Sequence, residues 1–264
     1  MSDVVTSIDA VLDCRADGDG LLFGLGRHLH GAFGGAFGGA VAAAALQTAR
    51  HAVSGRMPAS LDIRFLRSLP AGTALAKATI LRAGRSLTTV SIDIRDGEGR
   101  LSARATIGLT DSAALRPIDQ PTASKKPPLD DYDSGADWQA PDGVEIPILS
   151  TLRPRVLGSG CSWVATGLRL PWTDSGAGAE SACLAADMCV GPPVATACAG
   201  RWIPHPNPDL SLRFVGQVAG PELVGIGRLD RISAGLAAVN ISVWSGNELV
   251  AVGVCSSMLL AAGR

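Results

Sequence analysis

The chain has 264 residues, 47% hydrophobic and 18% charged, with a formal net charge of −1. This excludes a disordered chain and suits one large domain or two smaller ones. It also argues against nucleic acid as a partner, because no strongly basic stretch is present.

The N-terminus, MSDVVTSIDAVLD, is acidic and lacks the apolar run of a signal peptide. The longest apolar run near the front, Ala40–Leu46, falls far short of the ~20 residues of a membrane span. No membrane partner is expected. Cys14, Cys161, Cys183, Cys189, Cys198 and Cys255 form no C-x-x-C pair and match no zinc spacing, so free thiols in a reducing cytoplasm are the simplest expectation. His28-Leu29-His30 reads as two rings on one strand face, but no carboxylate or thiolate at ligand spacing supports a metal there.

In chain order, Phe37-Gly38-Gly39 announces a helix over Ala40–Ala52. Its first half is apolar all round, which requires burial on every side. Leu61, Ile63 and Phe65 then alternate with Asp62 and Arg64, the period-two mark of a half-buried strand. Leu87–Arg95 is a long β-rich run, Asp96-Gly97 is a turn, and Leu101–Leu109 is a closing strand. Ala114–Val144 is rich in Pro and Asp and has no periodicity, so it reads as an interdomain linker, with Tyr132 or Trp138 as anchors where it packs on a sheet.

The same order then repeats. A helix over Glu180–Val190 is predicted to stop at Gly191-Pro192-Pro193. Leu210, Leu212 and Phe214 alternate with Ser211 and Arg213, and the runs Leu236–Trp244 and Leu249–Leu259 follow. Arg64-Phe65 recurs as Arg213-Phe214, 149 residues later, and Val90, Ile92 and Ile94 recur as Val239, Ile241 and Val243 at the same offset. That spacing is too long for a solenoid and indicates domain duplication. The expected units are 1–113, a linker at 114–144, and 145–264. Each is an α+β layer of antiparallel strands curled around a helix.

The segments AFGGAFGGAVAAAALQTA, PASLDIRFLRSLPAG and ILRAGRSLTTVSIDIRDGEGRLSARATIGL, with LAADMCVG and NPDLSLRF in the second copy, resemble the acyl-CoA thioesterase II family. Phe65-Leu66-Arg67 matches its "FLRP"-like strand, and Arg82-Ala83-Gly84-Arg85-Ser86 its turn before the longest strand. The resemblance implies an α+β double hotdog: two repeats, each with an antiparallel sheet wrapped around a central helix. It implies hydrolysis of an acyl-CoA thioester to a carboxylic acid and CoA, without a cofactor. It also implies a homodimer or larger assembly. A catalytically silent acyl-CoA-binding protein is the first alternative. A hotdog hydratase or dehydratase is the second, disfavoured because no Asp–His pair lies within one short segment.

Thioester hydrolysis needs a group to activate water, donors for the developing oxyanion and an acyl groove. Asp187 lies in the apolar run CLAADMC, where a lone carboxylate is expensive without partners, and the resemblance makes it catalytic. The resemblance places Asn207 where the family has Thr. It places Cys255 where the family has a last-strand Gln, which a thiol cannot copy. Ser256 or Ser257 would compensate, and Ser256 is taken as the third catalytic member. Gly38 and Gly39, at a helix start, would offer N–H groups to a carbonyl or phosphate oxygen, or simply permit close packing. Arg85 and Ser86 would meet a CoA phosphate. Ala42–Ala45 leave room for the acyl group, and Trp163, Trp172, Trp202 and Trp244 would narrow it. No G-x-S-x-G motif for a serine nucleophile is present.

Overall fold

The computed structural model of the chain describes residues 7–18, 20–120, 125–172, 176–198 and 201–261. The first copy runs α1 (Ile8–Leu12), β1 (Cys14–Asp17), β2 (Gly20–Leu25), α2 (Gly38–Ala52), β3 (Met57–Phe65), β4 (Gly72–Ala83), β5 (Leu87–Arg95) and β6 (Leu101–Thr110). The second runs β7 (Ala136–Asp137), α3 (Ile148–Leu152), β8 (Arg155–Ser159), β9 (Trp163–Arg169), α4 (Gly178–Met188), α5 (Gly191–Ala197), β10 (Asp209–Phe214), β11 (Glu222–Ser233), β12 (Leu236–Ser245) and β13 (Glu248–Met258).

The described strands form one sheet in the order β1-β2-β4-β5-β6-β3-β10-β13-β12-β11-β9-β8-β7. The two copies join at its centre. The duplicated strands β3 and β10 pair antiparallel, with Leu61 opposite Leu212 and Ile63 opposite Leu210. Those pairs exchange under the repeat offset, so the joint is a pseudo-two-fold axis and the architecture is a double hotdog. Arg213 reaches Asp62 across it at 3.1 Å, and Arg64 pairs with Asp209.

Alternation fixes which side of the sheet is buried. Val90, Ile92 and Ile94 on β5, and Val239, Ile241 and Val243 on β12, all point inward with at most 4% of their surface exposed. They close over α2 and α4, which also pack against each other. Ala40–Leu46 is buried on every face, as its lack of a polar side requires. Alanine contributes little area per residue but lets a second helix and a curved sheet approach at once. The larger apolar gain, about 1.5–3 kcal/mol per side chain, comes from the Leu, Ile and Val residues of the strands.

Three sequence expectations need correction. Gly191-Pro192-Pro193 ends α4 but also opens α5, with Pro in its first turn. Proline lacks only an N–H that has no helical partner there, so it starts a helix as readily as it stops one. The segment 114–144 does more than connect. β7 extends the sheet edge by pairing with β8, and Tyr132 donates its hydroxyl to the Arg153 carbonyl at 2.8 Å beneath the Arg169 guanidinium. His28 belongs to a 3₁₀ turn over Arg27–Leu29 and His30 caps it, so the two rings share no strand face.

Candidate active site

Asp187 is the tenth residue of α4, and Gly38 and Gly39 open α2. The helices run antiparallel, with Arg50 near the end of α2 reaching Glu180 near the start of α4, so the carboxylate of the second copy faces the N-terminus of the first. Asp187 Oδ2 accepts the Gly39 N–H at 2.8 Å. That donor has no partner within its own helix, and the N-terminal end of the helix dipole favours the negative charge. The glycines make this possible. A Cβ on Gly38 would lie 2.9 Å from Asp187 Oδ2, and one on Gly39 would lie 2.8 Å from the Cys183 carbonyl and 2.9 Å from Leu184 Cα. The close approach they permit is to the partner helix and, at Gly38, also to the Phe65 ring on β3. The Gly39 N–H is spent on the carboxylate instead of being left for a substrate oxygen.

The other carboxylate oxygen accepts from Asn207 Nδ2 at 2.9 Å, and Asn207 Oδ1 accepts the Ser257 hydroxyl at 2.6 Å. Ser257 Oγ also stands 3.1 Å from the His205 carbonyl. The result is a partly buried chain, Ser257 to Asn207 to Asp187 to the start of α2, built from both copies. Burial pushes the Asp187 carboxyl above its usual range, while Asn207 and the Gly39 and Gly38 N–H groups pull it back down.

The structure brings Asp187, Asn207, Gly38 and Gly39 together as the sequence suggested. Ser257 replaces Ser256 as the third member. Alternate residues of a strand face opposite ways, and Ser256 instead donates its backbone N–H to Asp209 Oδ1 at 2.8 Å. Cys255, on the same face as Ser257, is 3% exposed and directs its thiol at the Asp209 carbonyl, 2.9 Å away. Burial raises its pKa strongly, which makes it a small apolar wall. Arg85 and Ser86 do not join the site. Arg56 ties their turn to the far end of α2 through the Gly84 and Arg85 carbonyls, at 2.8 and 3.2 Å. A helix of α2's length puts that end about 22 Å from Asp187. The guanidinium at the rim is that of Arg67, exposed and in no ion pair among the described residues.

Asp187 and Asn207 line a cavity of about 580 Å³ with mostly apolar walls. Val41, Leu69 and Met188 line it, as do Trp138 and Gln139 from the segment between the copies and Ile146 just after that segment. His205 also lines it, and the sequence reading gave it no role. Its Nδ1 lies 2.7 Å from the Ile203 carbonyl, which places a proton on that nitrogen, and burial lowers the pKa of the ring. The signal was present in Ile203-Pro204-His205-Pro206-Asn207-Pro208. Every residue before a proline is pushed to extended backbone, which puts His205 and Asn207 on one side. Of the tryptophans expected to narrow the groove, Trp202 lines it directly, Trp163 does not, and Trp172 and Trp244 are buried elsewhere.

Residues 28–110 match the family model of the acyl-CoA thioesterase N-terminal domain. The match spans the central helix and main strands of the first copy. This agrees with the resemblance carried by its Gly-Gly helix start and Phe65-Leu66-Arg67 strand. Among solved structures, an acyl-CoA thioesterase II from Mycobacterium marinum superposes with a TM-score of 0.77 at 17% identity, covering 97% of this chain and 99% of that one. A hot dog fold protein of unknown function from Alicyclobacillus acidocaldarius gives 0.79 at 20% identity, over 98% and 100%. The tesB protein of Mycobacterium avium subs paratuberculosis gives 0.75 at 16% identity, over 96% and 98%. At these identities the structures establish the double-hotdog fold across the whole length. No curated protein matches the chain in sequence. No helix among the described residues is long and apolar enough to cross a membrane.

Proposed function

We propose that the chain hydrolyses an acyl-CoA thioester, with Asp187 as the group that activates water. The observation that carries this reading is the Asp187 carboxylate itself. It is buried, held by one donor from each copy, and set in the wall of an apolar cavity of acyl-group size. A carboxylate kept ionisable but raised in pKa is a better base than one in water.

In this mechanism Asp187 takes a proton from water as the water oxygen bonds to the thioester carbonyl carbon. Asn207 has two amide hydrogens and spends one on Asp187, so we assign the second to the oxygen on which charge develops. Collapse of the intermediate breaks the carbon–sulfur bond, and the departing thiolate takes the proton back from Asp187. Ser257 holds Asn207 in the orientation that donates to Asp187. Arg67 at the rim meets a phosphate of the CoA arm. The compartment is read as the cytoplasm and the working unit as a homo-oligomer.

The test is release of CoA thiol from a panel of acyl-CoAs by the purified full chain. Turnover of at least one member is expected. Binding of acyl-CoA without thiol release from any member would replace the hydrolase with a silent binding protein.

A further inference from the structure

The chain has eleven Phe, Trp and Tyr residues, and five of them, Phe33, Phe37, Phe65, Trp138 and Trp202, line this one cavity. They are drawn from both copies and from the segment between them. None of the five is fully buried, whereas Phe23, Trp172 and Trp244 in the core are. The rest of the core is mostly Ala, Leu, Ile and Val. A chain this poor in rings therefore places nearly half of them, incompletely covered, around one pocket.

Two of them stand beside Asp187 and two stack together at an exposed part of the lining. Phe65 lies beside the reacting group, since the space that a Cβ on Gly38 would fill is bounded by Asp187 Oδ2 at 2.9 Å and by Phe65 Cζ at 3.1 Å. Phe37 folds over Gly39, its Cε1 2.8 Å from the corresponding point there. A carbonyl placed for attack by water on Asp187 would therefore have two phenyl rings within reach of its acyl group. Phe33, 44% exposed, stacks on Trp202 with planes 13° apart and centroids at 6.2 Å, and the His205 ring meets Trp202 at 5.4 Å.

An alkyl chain would gain the same area from Val41, Leu69 and Met188 without any ring. Rings add a preference for other planar rings, through offset and edge-to-face contacts beyond area alone. We propose that the acyl group carried by this site bears an aromatic ring close to the thioester, so that aryl- and arylalkanoyl-CoAs are preferred over straight-chain ones. This rests on the thioesterase reading above and specifies its substrate class.

The experiment compares kcat/KM for phenylacetyl-CoA and for octanoyl-CoA, its equal in carbon count, using thiol release by the full chain. Phenylacetyl-CoA is expected to win by roughly ten-fold, the size of a few ring–ring contacts. Phe65→Leu and Phe37→Leu keep apolar bulk but remove the ring face, and should each lower that ratio several-fold. Phe33→Leu, at an exposed position that tolerates change, gives the same readout without risk to the fold. A ratio is insensitive to partial loss of active protein. Octanoyl-CoA hydrolysed as well as phenylacetyl-CoA, with the ratio unmoved by the three variants, would overturn the proposal and leave the thioesterase reading standing. No hydrolysis of either, or of any other acyl-CoA, would remove that reading and the proposal with it.

Discussion

The duplication creates two junctions between α2 and α4, one at each end of the helix pair, and they have diverged. At one end the N-terminus of α2 receives Asp187, the tenth residue of α4, beside the apolar cavity. At the other the tenth residue of α2 is Gln47, an amide that bonds to Asp9. There Arg50 reaches the Gly176 carbonyl at 3.1 Å and pairs at 2.8 Å with Glu180, which is 0% exposed. Residues Gln47, Arg50 and His51 border a smaller, polar cleft of about 470 Å³. One backbone plan thus yields an apolar pocket with a buried carboxylate at one end and an ion-paired junction at the other. Chemistry follows side-chain choice at equivalent helix positions, not the fold.

Removing the base should have the largest effect. Asp187→Asn keeps the shape of the junction and is expected to lower kcat about 10²–10⁴-fold, the usual contribution of a general base. Next is the packing that brings the base to its donor. Gly39→Val inserts side-chain atoms where a Cβ already meets the Cys183 carbonyl at 2.8 Å. Overpacking costs about 1–3 kcal/mol, and a thermal melt should fall by about 2–4 °C for each of those units.

Asn207→Ala removes one hydrogen bond to a buried charge, worth about 1.5–3 kcal/mol, and should cost roughly ten- to a hundred-fold in kcat. It also changes the pH profile in a defined direction. The base works as the carboxylate, so the rate falls as pH drops through the Asp187 pKa, which burial has already raised. Asn207 holds that pKa down, so its loss should move the acid limb to higher pH in a kcat/KM profile. Ser257→Ala acts one bond further out and should cost a few-fold, while Ser256→Ala, on the opposite strand face, should leave kcat unchanged. Gln47→Ala, at the diverged junction, should also leave turnover as it is. If Gln47→Ala abolished turnover while Asp187→Asn did not, the two ends would have to be exchanged.

Much of this arrangement was legible in the sequence. The repeat offset carried by Arg64-Phe65 and Arg213-Phe214 showed the duplication, and the all-apolar Ala40–Leu46 showed that a sheet must surround a helix. Asp187 stood out because a carboxylate inside an apolar helical run must have a partner. The rest of the chain of hydrogen bonds was harder to read, because its contacts join residues 20, 50 and 148 positions apart along the chain. The choice between Ser256 and Ser257 turned on strand phase, which slips with a one-residue error in alignment. Arg85 was misplaced because a turn's sequence shows that it turns, but not at which end of the helix it lies. Trp138 was read as an anchor in a linker, and only tertiary packing makes that segment a wall of the cavity.

The most direct measurement is kcat/KM of Asp187→Asn beside wild type on one acyl-CoA that wild type hydrolyses, with thermal melts and acyl-CoA titrations on both proteins. The expected result is a folded variant that binds acyl-CoA within a few-fold of wild type and turns it over at least a hundred-fold more slowly. A folded, acyl-CoA-binding variant with undiminished turnover would contradict the assignment of this junction as the catalytic one.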